Sequence, residues 1–408
     1  MQAESRFSTN QRICVVGLGY TGLPTAAILA SRGYDVHGVE VNPDAIEAIN
    51  SGRAHIVEPE LDMLVRAAVQ TGKLQAHEKP DESDIFILCV PTPCTEEHKP
   101  NLDYVFEATR SICPYVRPGN LVILESTVPP GATESIAAIL HKETGLSSEE
   151  LHVAHAPERV LPGKIVREVV ENDRIIGGVD EASTEACAAF YETFVSGKLH
   201  LTHCRTAETA KLVENAYRDV NIAFANEISL VCDTLDLDVW ELVDLANQHP
   251  RVNILSPGPG VGGHCIAIDP WFLVATAPET TKLIRAAREL NDSKPNYVVK
   301  RVIRRAERFK EPRIACLGLA YKPNIDDLRE SPAVEVVQGL LAANAGDIRI
   351  VEPFLDRHEE LPLSTIEEAV SDADIVVFLV AHDPFKKIPR KALAEKVIID
   401  TCGVFGRP

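Results

Sequence analysis

Apolar runs alternate with stretches of helical periodicity along the first part of the chain. Residues 12–17 (RICVVG) predict a buried strand, 22–32 a helix and 34–41 (YDVHGVEV) a second strand. Further strands are predicted at 84–90 (DIFILCV), 120–125 (NLVILE) and 151–155 (LHVAH). Such alternation implies a mainly parallel sheet covered by helices on both faces. Residues 206–248 break the rhythm, with helical periodicity and no convincing strand, the pattern expected of a subunit interface. A glycine- and proline-rich loop follows at 256–263, then more helix from 280 to 309. At 313 the first rhythm resumes with RIACLGLAYK, and Ser331-Pro332 reads as an N-cap and first helical position. Strands are predicted again at 348–351, 374–380 and 397–400. The expected fold is α/β: two Rossmann-like parallel-sheet domains joined by a central helical dimerisation region, with limits 1–203, 204–309 and 310–408.

Composition narrows the classes. The 408 residues are 45% hydrophobic and 25% charged, enough to bury a large core and too apolar for disorder. Lys+Arg number 41 against 60 Asp+Glu, a net charge of −19, so nucleic acid and anionic membrane surfaces are poor partners. A small anion in a local cationic pocket remains compatible with that field. The polar start MQAESRFSTNQ predicts no secretory signal, and no apolar run approaches the roughly 20 residues of a membrane span. Ten scattered cysteines without a C-x-x-C pair point away from disulfides and zinc and toward the cytoplasm, with no metal expected.

Gly17-x-Gly19-x-x-Gly22 closes the first strand and opens the first helix. In that position the first glycine permits the turn, the second admits a pyrophosphate and the third allows close helix–strand packing. Glu40 ends the second strand, where a carboxylate binds ribose hydroxyls and repels a 2′-phosphate, which favours NAD over NADP. The turn Cys89-Val90-Pro91-Thr92-Pro93 and the pair Ser126-Thr127 fall at the same carboxyl edge. Lys211, Asn215 and Arg218 share a helical arc of about 60°. Their neighbours Ala207, Ala210, Leu212, Ala216 and Phe224 suggest a buried helix, on which polar groups need partners. A solvated polar face is the alternative. Cys265 follows the double glycine Gly262-Gly263 and precedes Asp269; from the residues alone it is a nucleophile or a small buried hydrophobe, with nothing to choose between them.

Taken together the motifs resemble the UDP-glucose/GDP-mannose dehydrogenase family. Gly17–Gly22, CVPTP at 89–93, EST at 125–127, APER at 156–159, AETAKLVEN at 207–215, GVGGHC at 260–265 and GLAYKPNIDDLRESP at 318–332 match in order across nearly the whole chain. ERVLPG at 158–163, RDVNIAFANE at 218–227, HPRVNIL at 249–255 and GGHCIAIDPWF at 262–272 resemble the branch acting on UDP-N-acetylmannosamine. Ala267 and Ile268 stand where the glucose-specific members usually have proline and lysine, which argues against plain UDP-glucose.

The resemblance implies oxidation of a sugar C6 alcohol to a carboxylate by two hydride transfers to NAD. Cys265 is then the nucleophile that captures the intermediate aldehyde as a thiohemiacetal and carries the resulting thioester. Lys211 stabilises the alkoxide, Asn215 fixes the oxygen at C6, Asp269 polarises water or holds Lys211, and Glu158 assists hydrolysis. Thr127 positions nicotinamide and water. Cofactor positions are Gly17, Gly19, Tyr20, Thr21, Gly22, Glu40, Pro91, Thr92, Thr127 and Arg329. Substrate positions are Arg159, Val160, Lys211, Asn215, Arg218, His249, Arg251, Gly262, Tyr321 and Lys322. The implied substrate is UDP-N-acetyl-D-mannosamine, with UDP-N-acetylglucosamine or another UDP-hexose as the alternative, and the implied assembly is a homodimer or dimer of dimers. Two rival readings are a two-electron β-hydroxyacid dehydrogenase and a catalytically silent NAD or nucleotide-sugar sensor.

Overall fold

The computed structural model describes residues 8–405 except Glu96, Pro162 and His264. The reading of the extreme N-terminus, and the Pro162 and His264 positions of two motifs, lie outside the described residues. Contacts divide the chain into two compact units, residues 1–213 and 214–408.

The first unit holds an eight-stranded sheet. Its strands are β1 (Arg12–Val16), β2 (Asp35–Val39), β3 (Leu74–His77), β4 (Ile85–Leu88), β5 (Leu121–Leu124), β6 (His152–His155), β7 (Arg174–Gly178) and β8 (Leu199–His203), in the order β3-β2-β1-β4-β5-β6-β7-β8. All pairings are parallel except β6 with β7. β4, β5 and β6 are buried at every residue, as strands covered on both faces must be. One core lies between the sheet and helices Gly22–Ser31, Leu61–Gln70, Ile165–Glu171 and Glu181–Tyr191; a second lies against helices Asp103–Ile112 and Ala132–Thr144. Three strands escaped the reading from hydrophobic runs. β3 alternates buried and exposed residues, β7 ends in Gly177-Gly178, and β8 is a largely exposed edge strand.

The second unit carries a four-stranded parallel sheet of β9 (Arg313–Leu317), β10 (Asp347–Val351), β11 (Ile375–Phe378) and β12 (Val397–Asp400), ordered β10-β9-β11-β12. Ser331 caps the helix Pro332–Ala342 by accepting from Ala333 N, with proline at the first helical position as expected. The helix Lys282–Ala306 and the helix Pro332–Ala342 cover one face of this sheet.

Between the sheets the chain is helical, as the periodicity indicates: Cys204–Leu235, Val239–Ala246 and Asp269–Thr276 precede Lys282–Ala306. The long helix Cys204–Leu235 corrects one expectation. Ala207, Leu212 and Ala216 are buried, but Phe224 is 50% exposed and Tyr217 69%. The helix therefore has one inward face and one apolar outward face.

Candidate active site

At the carboxyl edge of the first sheet, chain order reverses between β1 and β4, the place where open α/β sheets bind ligands. Gly17 sits there at φ +89°, and a Cβ would lie 2.8 Å from Cys89 O. Gly22 opens its helix so close to the turn that a Cβ would lie 1.8 Å from Gly17 O. Around Gly19, by contrast, a Cβ would meet nothing within 4 Å, so the backbone is open to an approaching pyrophosphate. Thr21 makes no side-chain cap on the helix that follows. Glu40 accepts from Leu18 N at 3.0 Å and from Val41 N at 2.8 Å, which fixes the carboxylate beside the glycine turn. Tyr20 and Thr21 are half-buried in the same turn. These features fit a dinucleotide: open backbone amides for phosphate and an oriented carboxylate for ribose.

The two neighbouring turns are tied together. Thr92 Oγ1 donates to Thr127 O at 2.6 Å, and Ser126 Oγ to Val90 O at 2.7 Å; Pro91 stands exposed on the first of these turns. Beneath them Glu125 is buried and accepts from Tyr191 Oη, from Cys89 Sγ at 3.3 Å and from Thr25 Oγ1 at 3.4 Å. Burial pushes its carboxyl above the ordinary range, with Arg174 opposing. Arg174 Nη2 also lies 2.7 Å from Glu158 Oε2, while Glu158 Oε1 accepts from Arg159 N at 2.7 Å. Arg159 donates from Nη2 to Asp173 O, and Val160 packs half-buried against the core. Sequence reasoning missed Arg174 and Tyr191, because a buried ion pair leaves no periodic trace.

Lys211 is half-buried on the long helix. His155, at the end of β6, is fully buried in the first unit. Burial, with the Lys211 ammonium adding to it, lowers the imidazole to about 3, so His155 is neutral. One turn before Lys211, Glu208 is buried and accepts from Gly131 N at 2.6 Å, Thr133 N at 2.7 Å and Thr133 Oγ1 at 2.5 Å. It thereby anchors the helix to the turn that begins Ala132–Thr144.

In the second unit, Asp269 is buried at the start of its helix and accepts from Asn215 Nδ2 at 2.5 Å. Its own amide donates to Cys265 O at 2.8 Å, which sets the half-buried cysteine one turn ahead of the carboxylate. Gly263 has φ +83°, and a Cβ there would lie 2.9 Å from the Tyr321 ring; one on Gly262 would lie 2.4 Å from Glu330 O. Gly263 N donates to Arg329 O at 3.1 Å. The structure thus brings Asn215, Gly262, Cys265, Asp269 and Tyr321 into one neighbourhood. Lys322 is exposed beside Tyr321, and Arg329 pairs with Asp327 at 2.6 Å. Arg218, His249 and Arg251 are exposed, with Arg251 N donating to His249 Nδ1 at 3.3 Å. A further polar net missed in sequence holds this frame: Arg288 donates to Asp219 at 2.5 Å, and Asn226 accepts from Gly258 N at 2.8 Å in the glycine-rich loop.

All ten cysteines are free. Burial pushes Cys14, Cys204 and Cys316 up to about 12, which makes them poor nucleophiles. Glu134, His203 and Cys204 come within 4.8 Å of one another, but Arg205 Nε already sits 2.6 Å from the Glu134 carboxylate. Among the described residues no helix is long and apolar enough to cross a membrane.

Comparison with known proteins matches the family's NAD binding domain to residues 11–195, its central domain to 205–293 and its UDP binding domain to 315–407. The chain is 53% identical to an NDP-N-acetyl-D-galactosaminuronic acid dehydrogenase of Ralstonia nicotianae, over 96% of each protein. It is 50% identical to a UDP-N-acetyl-D-mannosamine dehydrogenase of Campylobacter jejuni, over 92% of this chain and 97% of that one. The UDP-D-ManNAc dehydrogenase structure from Pyrococcus horikoshii superimposes with a TM-score of 0.89 at 42% identity, covering 97% of this chain and 96% of that one. With all three domains present in order, the chain belongs to the UDP-glucose/GDP-mannose dehydrogenase family and is an NAD-binding oxidoreductase.

Proposed function

We propose that the protein oxidises C6 of UDP-N-acetyl-D-mannosamine to the uronate, consuming one water and two NAD per sugar. The observation that carries this reading is the Asn215–Asp269 bond one turn from Cys265, beside the Gly262-Gly263 contact with Tyr321. NAD, held by Gly17, Gly19, Tyr20, Thr21, Gly22, Glu40, Pro91, Thr92, Thr127 and Arg329, supplies the hydride acceptor. The Lys211 ammonium relays the alcohol proton to water and steadies the alkoxide, and Asn215 orients that oxygen. Once the aldehyde forms, the Cys265 thiolate adds to its carbon, giving a thiohemiacetal that again has a hydride to lose. The resulting thioester is cleaved by water, which Asp269 and Glu158 help to activate; the thiol is regenerated and a carboxylate leaves. Substrate is gripped by Arg159, Val160, Arg218, His249, Arg251, Gly262, Tyr321 and Lys322.

Similarity to the galactosaminuronic-type relatives supports a second reading, in which the sugar has the galacto configuration. Purified protein offered UDP-N-acetylmannosamine, UDP-N-acetylglucosamine and UDP-N-acetylgalactosamine separately, with NADH followed by absorbance, decides between them. The proposed reading expects turnover of the manno epimer with two NADH per sugar. A ratio of one with aldehyde released would favour the two-electron rival, and binding without NADH would favour a sensor.

We further propose a homodimer. Tyr217, Phe224, Val231 and Leu235 lie within an arc of about 40° on the long helix, all exposed, a continuous apolar stripe suited to a second copy. Free cysteines throughout support a cytoplasmic location, and the acid product suits assembly of cell-surface polysaccharide. The same reading keeps the three-part division at 1–203, 204–309 and 310–408.

A further inference from the structure

The second sheet has its own reversal of chain order, between β9 and β11. Gly318 follows β9 at φ +99°, where a Cβ would lie 2.5 Å from Val380 Cβ, much as Gly17 presses on the turn after β4. Glu352 is the first residue after β10, as Glu40 is the first after β2. The two carboxylates nonetheless end differently. Among the described residues Glu40 accepts from the backbone amides of Leu18, Val41 and Asn42, and it is partly open. Glu352 accepts from Leu319 N at 2.7 Å, Ala320 N at 3.1 Å and Phe354 N at 3.1 Å, and His382 Nε2 lies 3.1 Å from its Oε2, with both side chains fully shielded.

His382 also faces the other end of the same turn. Asn324 N donates to His382 Nδ1 at 2.9 Å. An amide can only donate, so Nδ1 accepts, the ring proton is on Nε2, and Nε2 donates to Glu352. The Asn324 side chain then exchanges two bonds with Asp383, at 2.9 and 3.0 Å, which holds this left-handed residue (φ +62°) in place. Tyr321 and Lys322 lie between these anchors. One end of their turn hangs on Glu352 and the other on His382, and the two anchors are bonded to each other.

We propose that Glu352 and His382 form a positioning pair that shapes the 318–324 turn so that Tyr321 and Lys322 meet the uridine diphosphate part of the substrate. The imidazole fills the carboxylate's remaining capacity, which in the first sheet stays open for a ribose. This rests on the UDP-sugar reading above.

The test is UDP binding by calorimetry, with NAD binding as the internal reference. His382→Ala is expected to weaken UDP about tenfold while NAD affinity stays within about twofold. His382→Asn keeps an acceptor where Nδ1 stands and should recover most of the loss; His382→Gln keeps only the reach toward Glu352 and should not. Hydrogen exchange of the Leu319, Ala320 and Asn324 amides should rise in the same order. If the alanine variant does not melt cooperatively, the asparagine–glutamine comparison carries the test. UDP affinity equal to wild type in folded variants, or parallel losses of UDP and NAD, would overturn the pair's role. A wild-type protein that binds no UDP would instead overturn the substrate reading, and the pair's role with it.

Discussion

A thiol becomes a catalyst only where it is accessible and geometrically set, and burial removes Cys14, Cys204 and Cys316 from that competition. Cys265 sits half-buried, one turn from a carboxylate that is itself held by Asn215. Cys265→Ala should therefore cut uronate formation about a thousandfold or more, in line with loss of a nucleophile that nothing nearby replaces. NAD affinity, measured by fluorescence titration, should hold within about twofold; wild-type turnover would remove the covalent step. Lys211→Ala should lower kcat by about 10²–10⁴, the usual range for a lost acid–base group, again with NAD binding kept. His155 gives a prediction of another kind. Unfolded, a histidine takes up its proton below about 6.5; folded, His155 does so only near 3. The unfolded state thus binds more protons across that window, and stability falls as pH drops through it. By pH 5 the cost is roughly 2 kcal/mol. His155→Asn should flatten the slope of urea-unfolding free energy against pH between 6.5 and 5; an unchanged slope would show that His155 is not the proton-linked group.

Elements built on uniform apolar runs were legible, and those built on exceptions were not. β1, β4, β5, β9 and β11 follow from their hydrophobic residues because parallel strands are covered twice. β8 runs Leu-His-Leu-Thr-His along an edge, where one side needs no apolar cover, so its period carries little signal. The same limit hid Glu208. Nothing in the sequence around Ala207 and Thr209 marks it, yet it is fully buried and caps the turn at Gly131–Thr133 from 75 residues away. A sign was present in that turn: Gly131 precedes the helix and offers no side chain to cap it. Removing the carboxylate strands two amides and a hydroxyl, each costing about 1–3 kcal/mol when buried and unpaired. Glu208→Ala should therefore lower the unfolding free energy by roughly 3 kcal/mol, read as a shift of the urea midpoint. A loss below about 1 kcal/mol would show that water replaces the carboxylate.

At the scale of the whole molecule, the ordered motifs make the family and its three domains legible, but the exposed side of the long helix is not marked by apolar content alone. Phe224 sits among apolar neighbours in sequence, but its helical phase turns it to the outward face. Relative to Tyr217, buried Leu212, Ala216 and Ala223 point to one sector, and Phe224, Val231 and Leu235 to another. An apolar stripe of that length facing water is costly for a monomer, and the proposed dimer would cover it with the same stripe of a second copy. In such an interface each substitution acts twice. If Phe224 loses about 2 kcal/mol of burial per copy, Phe224→Asp weakens the dimer by roughly 4 kcal/mol, about a thousandfold in dissociation constant. Light scattering coupled to size exclusion should show wild type as a dimer and the variant as a monomer at micromolar concentration. A monomeric wild type would overturn the homodimer, and a variant that stays dimeric with Tyr217→Asp added would place the contact on another face.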